Sequence, residues 1–185
     1  MPVLEQRGLT LRLATINVNG LGSGPKVAVL CDWLAKACHR PHVVMLQEVK
    51  KKDVEGVLAA MRQGVGPGLP WRGRVYYSPG GDSNCGAAIM IREGSPLHDL
   101  PPTPTLIDAP GGRLVRVDCK MLQHDLSLVC VYAPAQPSER AAFFTALQPL
   151  LPTAARHVLV GGDFNCVLNG LDEQSFSQHR QAGCG

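Results

Sequence analysis

Residues 11–21 read Leu-Arg-Leu-Ala-Thr-Ile-Asn-Val-Asn-Gly-Leu, and the change of character at Asn17 decides the fold. Up to Ile16 the segment alternates and is rich in aliphatic and β-branched residues, which predicts a strand over Thr10–Val18. The residues that follow, Asn19, Gly20, Gly22, Ser23, Gly24 and Pro25, are loop chemistry. A strand that ends on a polar residue and feeds a loop holds that group on a rigid support. The pattern recurs along the chain. Glu48 ends Val-Val-Met-Leu-Gln-Glu (43–48), and Tyr132 ends Leu-Ser-Leu-Val-Cys-Val-Tyr (126–132). Asp163 and Asn165 follow His-Val-Leu-Val-Gly-Gly (157–162).

Outward from these strand ends, Val27, Leu30, Leu34 and Ala37 stand at helical spacing, and Pro41 closes the helix they predict over Val27–Ala37. Val43–Gln47 reads as a short buried strand and Val54–Met61 as a second helix. Further strands are expected over Trp71–Tyr77 and Ala87–Ile91, and a hairpin over Leu114–Met121 and Leu126–Tyr132. Ser95–Gly112 holds five prolines and reads as a surface connection between strands. Ser138 is expected to cap a helix through Leu151, with Glu139 complementing its dipole. Val158–Val160 is a last buried strand, closed by a turn at Gly161-Gly162-Asp163. Strands alternating with helices imply an α/β layered domain in which helices cover sheets.

Composition narrows the class. At 185 residues and 45% hydrophobic, the chain suits one domain with a sizeable core. The net charge of +3 is compatible with a polyanionic partner but is too small to demand one. No apolar run approaches the roughly 20 residues that cross a bilayer, and Met1–Arg12 lacks a secretory pattern. The seven cysteines are scattered and read as reduced core residues of an intracellular protein. Cys38, His39 and His42 lie close together but lack a C-x-x-C pair, and a zinc site is not expected. The turn at 20–27 is no phosphate loop: Gly24 is followed by Pro25 and Lys26, and Val27 stands where a dinucleotide fingerprint needs glycine.

Singly, each polar strand end has a structural explanation, since Asn and Asp favour turns. Together they are a chemical set. Carboxylates and carboxamides are oxygen donors suited to a hard cation such as Mg²⁺, and a tyrosine hydroxyl can donate to a phosphate oxygen.

Six segments resemble, in order, the motifs of the endonuclease/exonuclease/phosphatase superfamily. The first three are Ala-Thr-Ile-Asn-Val-Asn-Gly-Leu (14–21), Leu-Gln-Glu-Val-Lys (46–50) and Cys-Gly-Ala-Ala-Ile-Met-Ile (85–91). The others are Gly-Arg-Leu-Val-Arg-Val-Asp (112–118), Val-Tyr-Ala-Pro (131–134) and Gly-Gly-Asp-Phe-Asn-Cys-Val-Leu (161–168). Asn-Val-Asn-Gly-Leu, the last of these motifs and the run from Tyr132 to Phe144 look most like the endonuclease domain of LINE-type non-LTR retrotransposons.

The resemblance implies a DNase I-like, four-layered α/β sandwich over residues 9–172, with residues 1–8 an N-terminal extension and 173–185 an unrelated tail. It implies hydrolysis of a DNA phosphodiester to leave a nick, dependent on Mg²⁺ or Mn²⁺, by a monomer acting in the nucleus. Glu48 would be the principal metal ligand with Asn17 beside it, and Asp163 would orient the attacking water. Asn165 and Tyr132 would hold the scissile phosphate. Asn19 stands where AP endonucleases often carry aspartate, which weakens an abasic-site repair reading.

The family closes its site with a later Asp and a final Ser-Asp-His. Residues 164–185 contain no such motif, and His179, in Ser-Phe-Ser-Gln-His-Arg, lacks the preceding Asp. The expectation is an incomplete copy without the closing strands, impaired in catalysis. The alternatives are a catalytically dead relic with residual metal or nucleic-acid binding, or a phosphatase of the same superfamily acting on another phosphoester. The segment Ser-Glu-Arg-x-x-Phe-Phe (138–144) speaks against the last.

Overall fold

Nine strands among the described residues form two sheets. The first contains β1 (Val3–Gln6), β2 (Leu9–Asn17), β3 (Val43–Gln47), β4 (Gly73–Pro79) and β5 (Gly86–Arg92), in the order β1-β2-β3-β5-β4. The second contains β6 (Leu97–His98), β7 (Leu114–Met121), β8 (His124–Tyr132) and β9 (His157–Asp163), in that order. The computed structural model describes residues 3–6, 9–21, 24–36, 40–49, 71–79, 86–102, 111–152 and 157–166. The helix expected over Val54–Met61, the Cys38–His39 pair and the tail with His179 lie outside them.

Two pairs are parallel, β2 with β3 and β8 with β9, and the other pairings are antiparallel. Parallel neighbours need a crossover, and helices supply the described part of each. α1 (Gly24–Ala35) lies between β2 and β3 in the chain, and α2 (Pro137–Leu147) between β8 and β9. α1 buries Val27, Leu30, Cys31 and Leu34, one stripe at i, i+3, i+4 and i+7, against Val44, Leu46, Ala88 and Met90. α2 sets Phe143, Phe144 and Leu147 on Leu114, Val129 and Val131.

Between the sheets, Leu13, Val43, Met45 and Ile89 pack against Val115, Val117, Leu128 and Cys130. Each such aliphatic side chain contributes about 1.5–3 kcal/mol on burial. The layers therefore run helix, sheet, sheet, helix. On the outer face of the second sheet Arg116 grips Asp118 through two bonds of 2.9 and 2.8 Å and donates to the Leu150 carbonyl at 3.2 Å. That tie seats the end of the α2 segment.

Three local expectations change. Ser138 does not cap α2: Gln136 is the N-cap residue, no side chain caps it, and Pro137 occupies the first turn, where its missing N–H costs nothing. The α-helix also stops at Leu147 rather than Leu151, passing into a 3₁₀ turn over Gln148–Leu150. Pro149 there has no N–H to continue an α-helical ladder. Finally, Gly161-Gly162-Asp163 is not a turn but the end of β9. Gly162 has φ 153°, and a Cβ there would stand 1.9 Å from the Val131 carbonyl oxygen. These glycines serve close packing rather than reversal. Val3–Gln6, inside the segment read as an extension, pair antiparallel with Leu9–Arg12.

Gly162→Ala is expected to cost about 2–4 kcal/mol in urea unfolding, because backbone blocks the added carbon. Gly24→Ala, with nothing within 4 Å of its added carbon, is expected to stay within about 0.5 kcal/mol. A second outcome concerns acid. At the start of β3, the His42 Nδ1 accepts from the Arg12 N–H at 3.2 Å. Burial first, then Arg12 and Arg92, hold the ring's pKa below its ordinary 6.5. The unfolded chain takes up that proton first, so the stability held above pH 6.5 should decline as pH falls below it. Urea midpoints measured from about pH 8 to about pH 5 should show that decline, and it should be shallower in His42→Phe.

Candidate active site

The polar strand ends converge because both parallel pairs finish on the same edge of the sandwich. In the first sheet Asn17 is opposite Gln47, and in the second Tyr132 is opposite Asp163. Alternation along each strand turns Asn17, Tyr132 and Asp163 toward the gap between the sheets, above the apolar layers of Leu13, Met45 and Leu128. Glu48 leaves β3 with φ 57°, a left-handed conformation that costs a non-glycine residue about 1–3 kcal/mol. Hydrogen bonds hold it there. Its carbonyl accepts from the Gly20 N–H at 2.8 Å, and the next N–H, of Val49, donates to Gly86 at 3.1 Å.

The centre is a carboxamide between two carboxylates. Asn17 Nδ2 donates to Glu48 Oε1 at 2.9 Å and to Asp163 Oδ2 at 2.8 Å. Its Oδ1 accepts the Asn19 N–H at 3.0 Å, which fixes the amide's orientation. The Tyr132 hydroxyl donates to Glu48 Oε1 at 3.2 Å. Asn165, at φ 49°, gives its backbone N–H to Asp163 Oδ1 at 2.9 Å and one Nδ2–H to the Ala133 carbonyl at 2.8 Å. All five residues expected from the sequence thus meet. Asn165 meets the others through Asp163, and its side chain is anchored on the Tyr132–Pro134 turn.

The electrostatics of this set favour a cation. Among the described residues neither Glu48 nor Asp163 has an ion-pair partner, and one neutral amide bridges them. No cluster of three or more His, Cys, Asp or Glu occurs among the described residues, so the donors at hand are two carboxylates with amide and hydroxyl oxygens. Such hard oxygen donors fit Mg²⁺ or Mn²⁺, ions that keep several waters, better than zinc.

Sequence reasoning did not single out Arg113. Its guanidinium lies 4.9 Å over the Tyr132 ring, and Nη1 faces the Tyr132 and Ala133 carbonyls at 3.4 Å. The signals were its place just ahead of a strand and inside the motif Gly-Arg-Leu-Val-Arg-Val-Asp (112–118). Gln47, Thr15 and Cys130, one layer below the carboxylates, were also passed over. Their signal was polarity at positions that alternation assigns to the core. An apolar groove of about 570 Å³, lined by Ile16, Leu21, Val29 and Trp33, lies beside α1, and neither Glu48 nor Asp163 lines it.

The model of the endonuclease/exonuclease/phosphatase family matches residues 14–184. The chain belongs to this family. A transposon TX1 protein of 149 kDa from Xenopus laevis is 29% identical over 167 residues, which are 89% of this chain. The matched part is 12% of that relative's length. The endonuclease domain of TRAS1, a telomere-specific non-LTR retrotransposon, shares 18% identity at a TM-score of 0.54, covering 94% of this chain and 72% of that one. D. rerio TDP2, solved with a single-strand DNA product, shares 19% at a TM-score of 0.58, covering 89% and 64%. At such identities the two structures share the fold, the DNase I-like sandwich of the family.

The stacked cation is open to a direct measurement. A double-mutant cycle on urea stability with Arg113→Met and Tyr132→Leu is expected to give a coupling of about 0.5–1 kcal/mol. A coupling of zero would mean that the guanidinium merely lies near the ring.

Proposed function

We propose that this domain is a divalent-metal-dependent endonuclease of the retrotransposon type, which nicks DNA as a monomer in the nucleus. The observation that carries the reading is the Asn17 carboxamide held between Glu48 and Asp163, with the Tyr132 hydroxyl on the same Glu48 oxygen. The transposon relative and the retrotransposon endonuclease fold support the choice of substrate and biological setting. The DNA product bound by D. rerio TDP2 supports a nucleic-acid partner.

Glu48, with Asn17 beside it, would hold Mg²⁺ or Mn²⁺, which when bound neutralises phosphate charge and makes water more acidic. Asp163 orients the attacking water and receives its proton. Its two oxygens accept from different donors, which fixes the plane of the carboxylate. Asn165 has one Nδ2–H left after bonding Ala133, and this N–H donates to an oxygen of the scissile phosphate. The Tyr132 hydroxyl, which here donates to Glu48 Oε1, would turn its one proton to a second phosphate oxygen when substrate binds. Removing one group that stabilises developing charge typically costs about 100- to 1,000-fold in rate. A second reading keeps the same site but has Glu48, Asp163 and their neighbours bind metal or DNA without turnover.

Supercoiled plasmid in Mg²⁺ separates the two. The 185-residue chain is expected to nick no faster than background. Replacing everything after Asp172 with the closing segment of a related retrotransposon endonuclease, Ser-Asp-His included, should restore nicking. Glu48→Gln or Asp163→Asn should then abolish it. Nicking by the unaltered chain that survives Asp163→Asn would place the activity elsewhere. A folded chimera that never nicks would make the inert relic the right description.

A further inference from the structure

Alternation along β3 sends Val43, Met45 and Gln47 into the space between the sheets. The third is an amide where its neighbours are apolar, and it is 1% exposed. Left unpaired, such a group would cost about 1–3 kcal/mol. It is paired in a particular way. Within its own sheet, Gln47 Nε2 donates to Thr15 Oγ1 at 3.1 Å, and the Thr15 hydroxyl lies 3.3 Å from Gln47 Oε1. Across the gap, the same Nε2 donates to Cys130 Sγ at 3.2 Å, and the Cys130 thiol donates back to the Leu46 carbonyl at 3.4 Å. Cys130 is wholly buried, and burial pushes its thiol up to about 12, so the S–H that makes the return bond is retained at ordinary pH.

This exchange sits one step below the chemistry in every strand concerned. Glu48 directly follows Gln47, and Tyr132 stands two residues beyond Cys130. Asp163 stands two beyond Gly161, the partner of Cys130 in β9. A Cβ at Gly161 would lie 2.8 Å from Met45 Sδ, so the two sheets pack closely beside this exchange. The first sheet supplies Glu48 and the second supplies Asp163 and Tyr132. Whatever sets the sheet separation here sets the separation of the two carboxylates.

We propose that Gln47 is a positioning residue, whose buried amide, tied to Thr15 and to Cys130 of the opposite sheet, holds Glu48 at the separation from Asp163 and Tyr132 that a divalent cation requires. The proposal rests on the reading of Glu48 as the metal ligand. A core amide with only a structural role would be replaceable by apolar side chains without consequence for the metal. Replacing both members of a buried polar pair with apolar residues of similar shape is close to neutral for stability. Thr15→Val with Gln47→Leu therefore removes the tie while keeping a packed layer.

The probe is Mn²⁺, titrated into the full chain and followed by electron paramagnetic resonance of the free ion, with urea stability measured alongside. Glu48→Gln is expected to weaken Mn²⁺ by more than about 10-fold. The Thr15→Val/Gln47→Leu pair should keep its stability and also lose about 10-fold, the usual scale for groups that orient a ligand. Adding the pair to Glu48→Gln should cause no further loss, since its effect runs through Glu48. Unchanged Mn²⁺ affinity in the pair, with Glu48→Gln impaired, overturns the positioning role and leaves the metal reading intact. Unchanged affinity in Glu48→Gln overturns the metal reading, and the positioning role with it. Should the pair unfold, Cys130→Ala removes the link across the gap alone. It should weaken Mn²⁺ a few-fold in the natural background and not at all in Glu48→Gln, and equal losses in both would count against the proposal.

Discussion

One amide group reaches two carboxylates that belong to different sheets, and that reach is the constraint on which the molecule's design depends. Asn17 Nδ2 lies 2.9 Å from Glu48 and 2.8 Å from Asp163, the second contact bridging 146 positions of sequence. Two carboxylates that share one donor repel each other, and the shared donor softens that cost. Flexible loops would let the carboxylates drift apart. Here each stands at the end of a strand whose register is set by a parallel neighbour, Asn17 against Gln47 and Tyr132 against Asp163.

The parallel pairs explain the rest of the architecture. A parallel neighbour cannot be reached by a tight turn, so the chain between must cross an outer face of the sheet. α1 does this on one side and α2 on the other, each burying an apolar stripe, and four layers result. Both parallel pairs run toward the same edge, so the loops beyond their carboxyl ends gather the polar groups, as in other layered α/β folds. The antiparallel strands β4, β5 and β7 complete the two sheets, and their inner faces fill the core between them.

Local strain gathers at that edge. Asn19, Glu48 and Asn165 are left-handed non-glycine residues, with φ of 44°, 57° and 49°. Each is held by hydrogen bonds to other members of the site, and their combined cost is met by packing elsewhere. The membership of the endonuclease/exonuclease/phosphatase family fits this arrangement. A phosphodiester is attacked by positioned water under concentrated charge, and charge is what the fold concentrates here.

Strand positions were legible because their signal is local. Alternation in β2 and short apolar runs in β3 and β8 need no knowledge of the partner strand, and the polar residues that end those runs marked the site. Helix ends and glycines were less legible, since the same residue types serve opposed purposes. Gly161 and Gly162 look like a turn, yet they let β9 lie close against β8 and Met45. Ser138 looks like a cap, yet Pro137 had already begun the helix. By itself the sequence determined seven of the nine described strands, the layered class and the five polar side chains that gather at one edge. The short β1 and β6 look in sequence like an extension and a connection. Tertiary structure alone decided that Arg113 lies over Tyr132 and that Gln47 meets Cys130 across 83 positions. Such contacts depend on how two sheets pack, a non-local event that leaves no periodic trace in either segment.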